Sequence, residues 1–144
     1  MQIERNIIKD LLEWKNSSRR KPLLLKGVRQ CGKTWILKYF GKKHFTNVAE
    51  FNFDKDASLE SFFSGTYNVQ RIISQLSAYS GQKIVPQETL VIFDEIQTCP
   101  DALNSLKYFC EEAPEYAIAA AGSLIGLALS AKNKTGFPVG KVDI

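Results

Sequence analysis

The chain has 144 residues, of which 44% are hydrophobic and 24% charged, with a formal net charge of +4. One domain fits this length, and folding should bury roughly 68 to 70% of the surface an unfolded chain exposes, while the composition stands far from the disordered and membrane classes. No apolar run reaches the roughly 18 residues a membrane helix needs. The opening MQIERNIIKD mixes charge with isoleucine where a signal peptide would be continuously apolar. The chain therefore reads as cytoplasmic, with no membrane partner. Cys31, Cys99 and Cys110 have no paired spacing, and His44 is the only histidine, which argues against disulfides and structural zinc. The modest basic balance does not by itself call for nucleic acid. The Arg19-Arg20-Lys21 run reads as a solvated loop, with a DNA contact as the alternative.

From Ile3, apolar residues recur at Ile7, Ile8, Leu11, Leu12 and Trp14, one face of a helix that polar Asn16-Ser17-Ser18 ends. Leu23-Leu24-Leu25, stopped by Gly27, reads as a strand buried on both faces. After a glycine-bounded loop, Lys33 to Phe40 is apolar nearly all round, as in a helix sandwiched between a sheet and its neighbours, with Gly41 as its expected end. Val48 to Phe53 reads as a second strand, followed by the turn Asp54-Lys55-Asp56. Leu59 to Gly65 is weakly patterned. Val69, Ile72, Ile73, Leu76 and Tyr79 mark a helix opened by Asn68 and closed near Gly81.

Thr89 to Phe93 is the clearest strand. Pro100 or Asp101 to Glu112 is a helix that Pro114 stops. Tyr116 to Ala121 is a strand of small residues suited to a crowded central position, leading into Gly122-Ser123 and a short apolar helix through Leu129. Lys132 to Gly136 reads as loop, and Val139 to Ile144 as the start of a fifth strand. Continuous apolar strands alternating with helices predict a parallel sheet covered on both faces, a three-layer α/β/α sandwich. The ending inside a possible strand suggests that residues 1–144 are the first domain of a longer polypeptide, truncated at its fifth strand.

Gly27-Val28-Arg29-Gln30-Cys31-Gly32-Lys33-Thr34 fits G-x-x-x-x-G-K-[ST], the Walker A pattern, at every fixed position and lies between a predicted strand and a predicted helix. A triphosphate carries several negative charges, and such a loop wraps them in backbone N–H groups at the positive end of a helix. Gly27 and Gly32 allow the close approach. Lys33 would reach the β- and γ-phosphates of ATP, and the Thr34 hydroxyl would be a ligand of Mg2+. Arg29 is read as solvated or structurally paired, with a γ-phosphate or neighbouring-subunit contact as the alternative. Cys31, beside Lys33 and a helix N-terminus, stands where a thiolate is favoured.

Leu90-Val91-Ile92-Phe93 delivers Asp94-Glu95 to the C-terminal edge of the sheet, where open α/β sheets bind ligands. Asp94 would hold the magnesium, commonly through a water. Glu95 would orient and polarise the attacking water, the feature separating a hydrolase from a mere binder. Ser123, after the small strand, would touch the γ-phosphate or that water, or cap the following helix. Gln97, just past the acidic pair, is expected to face solvent, with polarising the water as the alternative.

With these elements in order, almost the whole chain resembles the AAA-type branch of P-loop ATPases. It resembles in particular a bacterial and archaeal group whose N-terminal AAA domain precedes a C-terminal domain of uncharacterised function. The resemblance rests on Gly27 to Thr34, Phe93-Asp94-Glu95-Ile96-Gln97, Ala121-Gly122-Ser123 and Phe137-Pro138-Val139-Gly140-Lys141-Val142. It implies five parallel strands in the order five, one, four, three, two, with Ser123 in the position called sensor one, and a missing C-terminal half. One departure is that no arginine follows Arg71, whereas AAA-type enzymes usually carry an arginine finger after the sensor strand; Lys132, Lys134 and Lys141 are weak substitutes.

The leading expectation is an ATPase motor or switch domain that hydrolyses Mg-ATP to ADP and phosphate, slowly in isolation. The alternatives are an ATP-gated module for a DNA or protein target, and a small-molecule kinase. Against a kinase stand Asp94-Glu95 at a strand end and the lack of an arginine-rich lid. A homo-oligomer is a further possible partner state.

Overall fold

The computed structural model describes residues 2–18, 20–27, 33–65, 67–123 and 140–143. Helix α1 (Gln2–Asn16) leads to strand β1 (Leu23–Gly27), helix α2 (Lys33–His44) and strand β2 (Asn47–Asn52). A 3-10 turn (Ala57–Phe62), helix α3 (Val69–Ser80), strand β3 (Thr89–Asp94) and a second 3-10 turn (Ile96–Thr98) follow. Helix α4 (Pro100–Glu112), strand β4 (Ala117–Ser123) and strand β5 (Gly140–Asp143) complete the order. The expected helix through Leu129 and loop from Lys132 to Gly136 lie outside the described residues.

All four strand pairings are parallel, and the sheet order is β2-β3-β4-β1-β5. Read from the β5 edge, this is five, one, four, three, two. Side chains alternate across it, as strand geometry requires. Leu23, Leu25, Leu90, Ile92, Ala117, Ala119 and Ala121 face one core with α1 and α2, while Leu24, Val91, Phe93, Ile118 and Ala120 face the other with α3 and α4. Every residue from Ala117 to Ala121 is fully buried. Small side chains there let β4 sit in the middle of the sheet with helices on both sides.

Local signals explain most boundaries. Asn68 accepts a hydrogen bond from the Arg71 N–H and caps α3, and Gly81 closes it at φ 70°, the left-handed conformation favourable to glycine. Pro100 opens α4. The weakly patterned stretch becomes the first 3-10 turn, capped by Asp56 and anchored by buried Leu59 and Phe63.

Two expectations are corrected. Helix α2 does not end at Gly41 but runs through it to His44. A Cβ on Gly41 would stand 2.5 Å from Val48 Cγ2 and 2.9 Å from Leu90 Cδ2, so the glycine is there for close packing of helix on sheet rather than as a terminus. Nor is α2 covered all round: Trp35 is 58% exposed and Tyr39 40%. Their rings stack at 5.4 Å with Lys43 Nζ 5.2 Å from the Tyr39 ring, so aromatic surface is partly covered by the helix's own side chains. Among the described residues, no helix is long and apolar enough to cross a membrane.

Candidate functional site

Parallel pairing brings the C-terminal ends of the strands to one edge. There Asn52 lies opposite Asp94 in the β2–β3 register, and Gly27 lies opposite Ser123 in the β1–β4 register. Helix α2 starts at this edge with no acidic residue in its first turn, so its positive end is uncompensated by its own sequence. Lys42, Lys43 and His44 stand at the opposite, negative end.

The central contact is between residues 60 apart in sequence: Thr34 Oγ1 donates to Asp94 Oδ2 at 2.7 Å. Asp94 is 6% exposed, a carboxylate held at the end of a fully apolar strand. Such a group needs partners. Asn52 Nδ2 donates to the same oxygen at 3.2 Å, and the Glu95 N–H donates to Asp94 Oδ1 at 2.9 Å. Asn52 is fixed in turn, because its Oδ1 accepts from the N–H groups of Asp54 and Lys55, both at 2.9 Å. Asn52 was missed by the sequence reading. Its only signal is a polar residue at the end of the strand predicted to precede the acidic one.

Glu95 leaves the strand at φ 54° and ψ 45°, left-handed and without a glycine to ease it. That conformation costs on the order of 1 to 2 kcal/mol. It turns the chain so that Asp94 and Glu95 project from one corner. Ile96, fully buried, anchors the far side of the turn. The N–H groups of Thr98 and Cys99 close it on the carbonyls of Glu95 and Ile96 at 3.1 and 3.0 Å. Gln97 is half-buried instead of facing solvent as expected, and its Nε2 donates to Glu95 Oε2 at 3.4 Å.

Of the sequence-predicted site, Gly27, Thr34, Asp94, Glu95 and Ser123 come to this edge, and the backbone of Lys33 opens α2. Val28, Arg29, Gln30, Cys31 and Gly32 lie outside the described residues, as does the Lys33 side chain. Among the described residues, no group of three or more His, Cys, Asp or Glu is placed to hold a metal by itself. The donor set at Thr34 and Asp94 is nevertheless all oxygen, the chemistry a hard divalent cation takes. Both Asp94 oxygens already accept protein hydrogen bonds, which fits a carboxylate that holds a cation through water rather than directly.

The Arg19-Arg20-Lys21 run is corrected at Arg20. Its guanidinium is half-buried at the opposite edge of the sheet and donates to the Lys15 carbonyl at 3.4 Å, Gln87 Oε1 at 3.0 Å and the Glu115 carbonyl at 2.9 Å. Burial lowers its pKa from the ordinary arginine value.

A parallel sheet with β4 between β1 and β3, and a hydroxyl at the start of α2 set on the acidic strand, defines a P-loop nucleotide-binding domain of ATPase type. A family model described as an AAA domain matches residues 19–143, and the chain belongs to that family. No curated protein matches it. Among solved structures it is similar to the Aeropyrum pernix Orc1 protein in complex with DNA, at 13% identity and a TM-score of 0.62, over 98% of this chain and 43% of that one. It is also similar to C. elegans PCH-2, at 15% identity and a TM-score of 0.51, over 98% and 42%. The chain thus spans less than half the length of either, and at these identities the likeness is one of fold.

Proposed function

We propose that residues 1–144 form an ATPase core that binds Mg-ATP and hydrolyses it to ADP and phosphate, slowly in isolation, as a motor or switch domain. The observation that carries this reading is the 2.7 Å bond from Thr34 to Asp94. It joins the end of the phosphate-loop pattern to the acidic strand, which supports a cation site shared by the two.

Gly27 to Thr34 would hold the triphosphate, with Lys33 on the β- and γ-phosphates. Thr34 and Asp94 would hold Mg2+, which when bound neutralises charge developing on the phosphate oxygens. Glu95 would hold the attacking water, and Ser123, opposite Gly27 in the β1–β4 register, would contact the γ-phosphate or that water. Hydrolysis makes the bond from the water oxygen to the γ-phosphorus and breaks the one to the bridging oxygen, which leaves on ADP. Because such transfer needs mainly positioning and charge, a partner-supplied cation is worth about 10³ to 10⁵ in rate. The absence of arginine after Arg71 makes the lone chain slow. Neighbouring copies, a C-terminal domain of its own chain and a DNA or protein target belong to the same proposal as partners.

The test is the melting temperature with and without Mg-ATP. A ligand at 100 times its Kd adds about 2.7 kcal/mol, and a domain of this size shifts by roughly 2 to 4 °C per kcal/mol. The wild type should shift by several degrees and Lys33→Ala should not. Equal behaviour of the two would remove the phosphate loop from the reading.

A further inference from the structure

The side chain of Gln97 does two things at once. Its Nε2 donates to Glu95 Oε2, while its Oε1 is buried without a hydrogen-bond partner among the described residues. The reverse amide orientation would set a carbonyl oxygen against a carboxylate oxygen, so the network itself fixes which atom faces Glu95. The residue is held on both sides: Ile96 before it is fully buried and Cys99 after it is 2% exposed. A single 3-10 turn closed by two backbone bonds therefore presents the amide from a rigid base.

A glutamate has three rotatable side-chain bonds, and one that holds a water must be confined to the productive arrangement. We propose that Gln97 is a positioning residue for ATP hydrolysis, acting through Glu95. Its amide, bonded to Glu95 Oε2, would fix the orientation in which the carboxylate meets the attacking water. The inference rests on the reading of Glu95 as the water-holding residue.

The experiment is single-turnover hydrolysis of Mg-ATP by the full 144-residue chain, with the nucleotide Kd measured separately. Gln97→Met keeps the length of the side chain and removes both amide atoms. It should slow hydrolysis about tenfold or more while leaving the Kd within about twofold. In a Glu95→Gln background, itself slow, the same change should do nothing further, because the two residues act as one unit. Gln97→Asn, which keeps the amide but withdraws it, should also be slow, and it decides by the same comparisons if the Met variant does not fold. Wild-type speed in Gln97→Met, or the same fractional loss in both backgrounds, overturns the proposal. Failure of the underlying reading looks different: Glu95→Gln then matches wild type, or wild type does not hydrolyse ATP, and the role of Gln97 falls with it.

Discussion

The two ends of the sheet carry matching irregularities used in opposite ways. Among the described residues, each has one non-glycine residue in the left-handed region, Gln87 at φ 68° and Glu95 at φ 54°. Among the same residues, each has one buried side-chain polar atom without a hydrogen-bond partner, Arg20 Nε and Gln97 Oε1. At the N-terminal end these features close a clasp: Arg20 reaches α1 through Lys15, the turn before β3 through Gln87, and the approach to β4 through Glu115, whose carbonyl also accepts the Gln87 N–H at 3.1 Å. At the C-terminal end the left-handed residue is itself a carboxylate beside a buried one. Strain therefore does not by itself tell the end with the candidate site from the other, since both ends have it. What differs is the chemistry presented: one end joins a cation to carbonyl groups, and the other sets the Thr34 hydroxyl and the Asn52 amide on a buried carboxylate.

The largest effect that would sharpen this contrast is expected from Glu95→Gln. Turnover should fall by about 100-fold or more, as for loss of a group that handles the proton or water in the transition state, while Mg-ATP still raises the melting temperature. Undiminished turnover, measured as phosphate release, would make the two ends alike, both structural.

Arg20→Met is the converse change. It keeps the apolar stem against Trp14, whose ring lies 5.8 Å from the guanidinium carbon, and removes the donors that hold Gln87 Oε1 and two carbonyls. Stability should fall by about 1 to 3 kcal/mol, seen as a lower denaturation midpoint, with nucleotide affinity unchanged. A weakened Kd at unchanged stability would reverse the assignment of the two ends.

How far the sequence foretold this contrast depends on the distance over which each residue acts. Strands β1, β3 and β4 were legible because burial on both faces writes continuous apolar runs, and Asn68, Gly81 and Pro100 mark helix ends through bonds a few residues long. The phosphate-loop pattern and Asp94-Glu95 were legible for the same local reason. Gly41 was misread because a glycine after an apolar run looks like a helix end, and the reason for it, Leu90, arrives only with the third strand. Arg20 looked solvated because its partners lie 67 and 95 residues away. Asn52 carries no motif, and Gln97 stands in the Phe93–Gln97 stretch without a signal of what it touches. Their contacts depend on the β2–β3 register and on the shape of one turn, which no period or spacing encodes.

The smallest effect expected lies just behind the Gln97 turn. Cys99 is 2% exposed, and burial, with smaller contributions from Glu60 and Asp101, pushes its thiol pKa up against backbone bonds that lower it. In the unfolded chain the thiol ionises through its ordinary range near about 8.5, while the folded chain retains the proton. The stability this supplies is therefore complete below that range and is lost as pH rises from the ordinary value toward the folded one. Urea midpoints should decline more steeply above about pH 8.5 in wild type than in Cys99→Ala, after allowing for Tyr116, whose pKa burial and Glu115 also raise. Parallel profiles would mean that the thiol behind the Glu95–Gln97 corner meets water in the folded chain. The rigid base on which Glu95 and Gln97 are set would then be looser than their geometry requires, and the contrast between a clasped end and a poised one would lose half its support.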